Sequence, residues 1–184
     1  PRRFPLAAAC KSANLWYANA VQFFTNIGWA FLILSFPDYL KKVMLLDDAT
    51  AGGITTAALF IGILALPLGG LVTDLITQNW GKRMGRMLPM SVTKFAAAAC
   101  YLIALQTRSP IAMAIAFGLV AFFADVGLPA MWTTMQDISG RHQAQLFGWS
   151  NMWGNFGAAI QPILFTAVLK RFDTNADYHE GVWL

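Results

Sequence analysis

Two charged side chains stand alone in long apolar runs. Lys94 is the one charge between Arg86 and Arg108, and Asp125 is the one charge between Arg108 and Asp137. A carboxylate and an ammonium in such settings are costly unless they pair or face water. The sequence leaves two readings open for them: a structural or gating ion pair, or a protonatable carboxyl facing a cavity. Carboxamides form a second group. Asn19, Gln22 and Asn26, with Trp29, recur at i, i+3, i+7 and i+10, and Asn151 and Asn155 lie one helical turn apart. Amides hydrogen-bond both carboxylates and hydroxyls. They serve either helix packing or a polar cavity wall. A third group is Asp74 followed by Lys82, Arg83 and Arg86, where a tight turn brings opposite charges within reach of each other. Signatures of enzyme chemistry are missing: there is no H-E-x-x-H, G-x-S-x-G or phosphate-binding glycine loop. His142 and His179 are isolated, and Cys10 and Cys100 have no metal-ligand spacing. The sequence therefore predicts no enzyme, no catalytic residue, no metal and no cofactor.

The elements that must hold these groups are apolar. Of 184 residues, 57% are hydrophobic and 12% charged, and the mean hydropathy is +0.52. That charged share is about half of the ~25% usual in soluble domains, which excludes most soluble enzymes and disordered chains. A net charge of +4 on a soluble protein would suggest nucleic acid. Here the basic residues sit in clusters between apolar runs, so the expected partner is a lipid bilayer and not nucleic acid. Five runs reach the ~20 residues needed to span a bilayer. They predict helices over 13–36, 50–73, 87–107, 110–134 and 144–169. Lipid offers no partner for loose backbone, and the alternating strands of a membrane barrel are missing. The expectation is an all-α integral membrane fold of five transmembrane helices. It has a 1–12 linker, a 13–169 membrane region and a 170–184 tail.

Basic residues set the orientation. Arg2, Arg3, Lys11, Lys82, Arg83, Arg86 and Arg141 fall on one side. Lys41, Lys42, Arg108, Lys170 and Arg171 fall on the other, together with Asp38, Asp47, Asp48, Asp173, Asp177 and Glu180. This predicts a cytoplasmic N-terminus and an outer tail. Small residues in the second run (Thr55, Ala58, Gly62, Ala65, Gly69, Thr73) predict close helix packing, with a bend at Pro67. Gly127 and Pro129 predict a bend beside Asp125. In the fifth run, Gly148, Asn151, Asn155, Ala158, Ala159, Pro162 and Thr166 share one face, which reads as a substrate surface. Leu146, Trp149, Met152, Trp153, Phe156 and Ile160 form the other, directed to lipid or bulky neighbours.

Gly70, Asp74, Gly81, Lys82, Arg83 and Arg86 together resemble the signature loop of the major facilitator superfamily, although Leu75 stands where a basic residue is common. The run from Gly148 to Pro162, with Asn151, Gly154, Asn155 and Gly157, is similar to that of the anion:cation symporter branch, which carries hexuronates and related sugar acids. The resemblance implies helices seven to eleven of a six-plus-six carrier, in the inner or plasma membrane. The N-terminal half and the last helix would be its missing partners. It implies a proton-coupled organic-anion symporter, working by alternating access. Substrate contacts would come from Gln22, Asn26, Trp132, Thr133, Asn151 and Asn155. Gly70, Asp74, Arg83, Arg86, Lys94 and Asp125 would serve gating or structure. The branch's main binding Arg and proton-carrying acid would lie in the other half. The alternatives are a carrier of a neutral sugar or nucleoside, and a scaffold or receptor that transports nothing. The start at Pro1, without Met, is consistent with a fragment.

Overall fold

The computed structural model describes residues 6–42, 44–107 and 109–172. The predicted 170–184 tail lies largely outside them, as do Arg2, Arg3, Arg108, His179 and the acidic residues after Phe172.

A short helix, α1 (Leu6–Lys11), leads into α2 (Ala13–Ala30), whose first turn is capped by the Ser12 hydroxyl accepting from the Leu15 N–H at 3.4 Å. The helix does not stop at residue 36 as the sequence predicts. It passes through a five-residue π-helical stretch, Phe31–Ser35, into α3 (Phe36–Lys42), making one rod from Ala13 to Lys42. A π turn inserts an extra residue and rephases the side chains beyond it. Phe36 and Leu40 thereby join Leu32 in the core, all three at 0–1% exposure.

Helix α4 (Asp48–Gln106) starts with an Asp47 cap that accepts from the Thr50 N–H at 3.1 Å. Hydrogen bonds from the Thr50 side chain and backbone hold this exposed carboxyl below its ordinary 3.8. At 59 residues a straight helix would run ~88 Å, nearly three times a ~30 Å hydrocarbon core. It is a hairpin instead. Gly81 (φ 80°, ψ 168°) is its one non-helical residue, in a conformation that disfavours a side chain. The segment 75–86, expected as a loop, is therefore helical on both sides of a one-residue turn. Pro67, expected to bend the second span, sits within helical backbone.

Helix α5 (Pro110–Val126) breaks at Gly127, and α6 (Leu128–Ser139) resumes at once, as the Gly127–Pro129 pair predicts. A single 3₁₀ turn, Gly140–His142, then leads to α7 (Gln143–Phe172). Three stretches are long and apolar enough to cross a membrane: Ala13–Lys42, Asp48–Ala104 and Pro110–Ala167. The latter two contain the glycine turns just described. The fold is all-helical over the described residues.

The bundle closes along two seams, α5 against both arms of α4 and α7 against α2. The larger core joins Leu32, Phe36, Cys100, Phe117 and Val120, with the Phe36 and Phe117 rings 4.4 Å apart. A smaller one joins Leu15, Ala18, Met135 and Leu146. Cys100 is buried as a small hydrophobe, whereas Cys10 is exposed, and both thiols are free. Phe60, Phe95, Ile111 and Ile163 are all well exposed, which suits a lipid-facing surface.

Candidate functional site

Close backbone approach builds the first seam. A β-carbon at Gly69 would collide with the Val126 carbonyl, and one at Gly62 would stand 2.8 Å from an Asp125 carboxylate oxygen. From the other arm, Thr93 abuts Gly127 in the same way. Both arms thus grip the break between α5 and α6. Gly70, the position matching the signature motif, has open space instead.

Asp125 sits in this grip at 6% exposure, and its Oδ1 has no hydrogen-bond partner. The Trp29 indole and the Lys94 charge both lie beside it. The Lys94–Asp125 ion pair, one of the two readings left open by the sequence, is not formed. Lys94 Nζ donates to the Ala124 carbonyl at 3.3 Å, and no Lys94–Asp125 contact falls among the ion pairs of the described residues. The cause is local. Where α5 stops, its last carbonyls lose their helical N–H partners, and a cation there is favoured by the helix dipole. Tyr101 donates to the Gly28 carbonyl at 2.9 Å, joining the second arm of α4 to α2. Next to these residues is a cavity of about 510 Å³, walled largely by apolar side chains and including Trp29, Lys94 and Tyr101.

A second cluster lies at the Gly81 end. The sequence suggests Asp74 as the partner of Arg86 or Arg83. The structure pairs Arg86 Nε with Asp137 of α6 at 3.0 Å, while its Nη1 donates to the Thr77 hydroxyl at 3.2 Å. Asp74 is exposed and outside the ion pairs of the described residues, and Arg83 lines a cleft of about 320 Å³ with Arg86, Asn14 and Met131. Helical backbone between Leu75 and Trp80 keeps Asp74 two turns back from the hairpin tip, whereas Thr77 stands next to Gly85. The arginine therefore reaches across to α6. Asp137 was the readable signal: an acid ending the fourth apolar run, on the same side as the basic turn.

The amides divide into two sets. Gln22 and Asn26 are half-buried and press on Gly154 of α7, and Gly157 packs against the Phe23 carbonyl. The close-packing face of α7 is thus Ser150, Gly154, Gly157 and Gln161, distinct from the face read as a substrate surface. Asn151 and Asn155 turn away from this seam and are exposed. Trp132 is 44% exposed, and the Thr133 hydroxyl donates to the Pro129 and Ala130 carbonyls of its own helix at 2.7 and 3.1 Å. The structure therefore brings Gln22 and Asn26 together against α7 and leaves Asn151, Asn155 and Trp132 on open surfaces. Buried polar residues outside the sequence-based site include Gln161, Ser35 and Asn19. Gln161 Nε2 donates to the Ser35 hydroxyl at 3.0 Å, linking α7 to the π-helical stretch. Asn19, at 2% exposure, has neither amide atom partnered.

The Major Facilitator Superfamily profile matches residues 18–179. The chain belongs to this superfamily. Its members are multi-pass membrane transporters. The chain is 28% identical over 148 residues, 78% of its length, to the nitrate/nitrite transporter NrtP of Nostoc punctiforme, covering 28% of that protein. It is 23% identical over 162 residues, 86% of its length, to the probable sulfoacetate transporter SauU of Cupriavidus necator, covering 37% of that protein. The chain thus spans about a third of the length of these relatives. No solved structure matches it.

Proposed function

We propose that this chain is one segment of a secondary carrier that moves a small anion by alternating access. The observation that carries the reading is the exposure of Asn151 and Asn155 on the apolar helix α7. Asn155 lies twelve residues into α7, ~18 Å along a helix crossing a ~30 Å core. A carboxamide at that depth is not stable against lipid and needs water, protein or substrate beside it. Packing does not account for it, because glycines and not asparagines make the seam with α2. Both relatives are named for anions, which favours an anionic substrate over a neutral sugar.

Within that class our reading is proton-coupled symport of an organic acid of the hexuronate or aldarate type. Asn151, Asn155, Trp132 and Thr133 border the path, and Gln22 and Asn26 support it through α7. Five spans, a cytoplasmic N-terminus and a partner half from the same carrier complete the arrangement. The Arg86–Asp137 contact then acts as a cytoplasmic latch, a bond that one state makes and another breaks.

The test is uptake by the complete carrier of nitrate, sulfoacetate, glucuronate and glucose. Asn151→Ala and Asn155→Ala should weaken uptake of the transported anion more than Trp153→Ala, whose ring meets that of Trp16 edge-on with centroids 5.3 Å apart. Equal losses would remove the substrate face, and uptake of glucose alone would remove the anion.

A further inference from the structure

We propose that the groove between α2 and the second arm of α4 holds one acidic phospholipid, with its phosphodiester on Arg83 and an acyl chain laid along the helices. The inference needs a bilayer around the chain and no particular cargo, so it goes beyond the carrier reading.

The two hollows beside these helices are parts of one groove. The cleft of about 320 Å³ at the Gly81 end and the cavity of about 510 Å³ share Tyr17 and Val21 in their walls. The groove follows one face of each helix. On the α4 arm it passes Arg83, Met87, Met90, Lys94 and Ala98, in steps of three or four residues. On α2 it passes Tyr17, Val21 and Phe24 at the same spacing. From Arg83 to Lys94 the helix rises ~16 Å. That is close to one leaflet, half of a ~30 Å hydrocarbon core.

The two ends differ in chemistry. Arg83 is exposed and belongs to none of the ion pairs of the described residues, whereas Arg86 beside it is balanced by Asp137. Among the residues lining the mouth, one positive charge is thus left uncompensated, the complement of a single phosphodiester. A guanidinium meets a phosphate with two parallel N–H donors. Asn14 and Tyr17 stand in the same wall with neutral donors. Deeper in, the walls turn apolar. Met87, Met90 and Met131 line the transition, and their unbranched, polarizable side chains adapt to a chain of many conformers. The one cation of the deeper part, Lys94, is engaged by the Ala124 carbonyl at 3.3 Å.

The place where the groove opens selects a lipid. Its rim carries Tyr17 and Phe24, 74% and 70% exposed, within the membrane-crossing stretch Ala13–Lys42. A phospholipid enters there sideways from its own leaflet, with its head group at the level of the hairpin turn. Basic pockets between transmembrane helices suit acidic head groups for this reason. A lipid so placed links α2 to the arm at the end opposite the Tyr101–Gly28 bond.

Native mass spectrometry of the complete protein, taken from a bilayer of phosphatidylglycerol and phosphatidylcholine in equal parts, reads the retained lipid without any substrate. Phosphatidylglycerol should be retained in preference. Arg83→Gln should cut that preference about tenfold. Lys82→Gln, the neighbouring cation outside both hollows, should cut it little. Ala98→Phe, which fills the groove from an exposed position, should lower retention and leave the head-group preference in place. Equal losses from Arg83→Gln and Lys82→Gln would reveal a diffuse basic surface and overturn the proposal. Retention unmoved by Ala98→Phe would overturn it too, because the acyl chain would then lie elsewhere. So would the absence of bound lipid, which would mean that another segment of the complete protein covers the groove.

Discussion

The seam between α5 and the α4 hairpin and the seam between α2 and α7 use one device for different ends. Each brings two helix backbones together through a glycine set on a carbonyl, Gly69 on Val126 in the first and Gly157 on Phe23 in the second. What surrounds the glycine differs. The first seam encloses a carboxyl and an ammonium next to a helix break. The second encloses carboxamides and a hydroxyl, with Ser35 and Gln161 satisfying each other. Amides change no charge in any state and tolerate re-pairing, so the second seam suits a fixed strut. A carboxyl and an ammonium beside a break suit a moving part.

The largest expected effect tests whether both seams depend equally on their glycines. Gly69→Ala and Gly157→Ala each put a methyl onto a backbone carbonyl, which cannot move aside as a side-chain tip can. Each should cost about 1–3 kcal/mol, read as lost thermal stability of the purified complete carrier. Gly70→Ala, with open space, is the control and should change stability little within this segment. If Gly70→Ala proves as damaging as Gly69→Ala, the seam as described is wrong.

A smaller effect tests the strut. Ser35→Ala strands the buried Gln161 amide, at 2% exposure, and should cost about 1–3 kcal/mol in stability. Ser35→Ala with Gln161→Leu removes both polar partners and should recover most of that loss. Failure to recover would mean that Gln161 has a task beyond its bond to Ser35.

Much of this arrangement was legible in the residues. Walking from charge to charge located the apolar stretches, and Gly127 with Pro129 marked the break beside Asp125. The small residues Gly62 and Gly69 correctly announced the first seam. The seam of α7 was not singled out because small residues occur on both sides of that helix. Gly148, Ala158 and Ala159 flank the asparagines, and only tertiary contact shows that Gly154 and Gly157 touch α2. The end of the first span was missed because a π turn changes phase without any proline or glycine to announce it. The pairings of Lys94 and Arg86 were missed for a shared reason. Long cationic side chains choose among several acceptors within reach, and the winner was a backbone carbonyl in one case and an acid fifty-one residues away in the other.

The smallest expected effect concerns that second cation. The Arg86 and Asp137 side chains are 18% and 40% exposed, so solvent screens the pair and a double-mutant cycle should give up to about 1 kcal/mol in stability. Thr77 shares the guanidinium, so Arg86→Gln should lose slightly more than Asp137→Asn. Asp74→Asn has no ion pair to break in this arrangement and should leave stability unchanged, although Asp74 is the acid that the signature motif singles out. A coupling between Arg86 and Asp74 as large as that between Arg86 and Asp137 would mean that the arginine changes partner between states. The latch would then be a two-position switch, unlike the strut formed by α2 and α7.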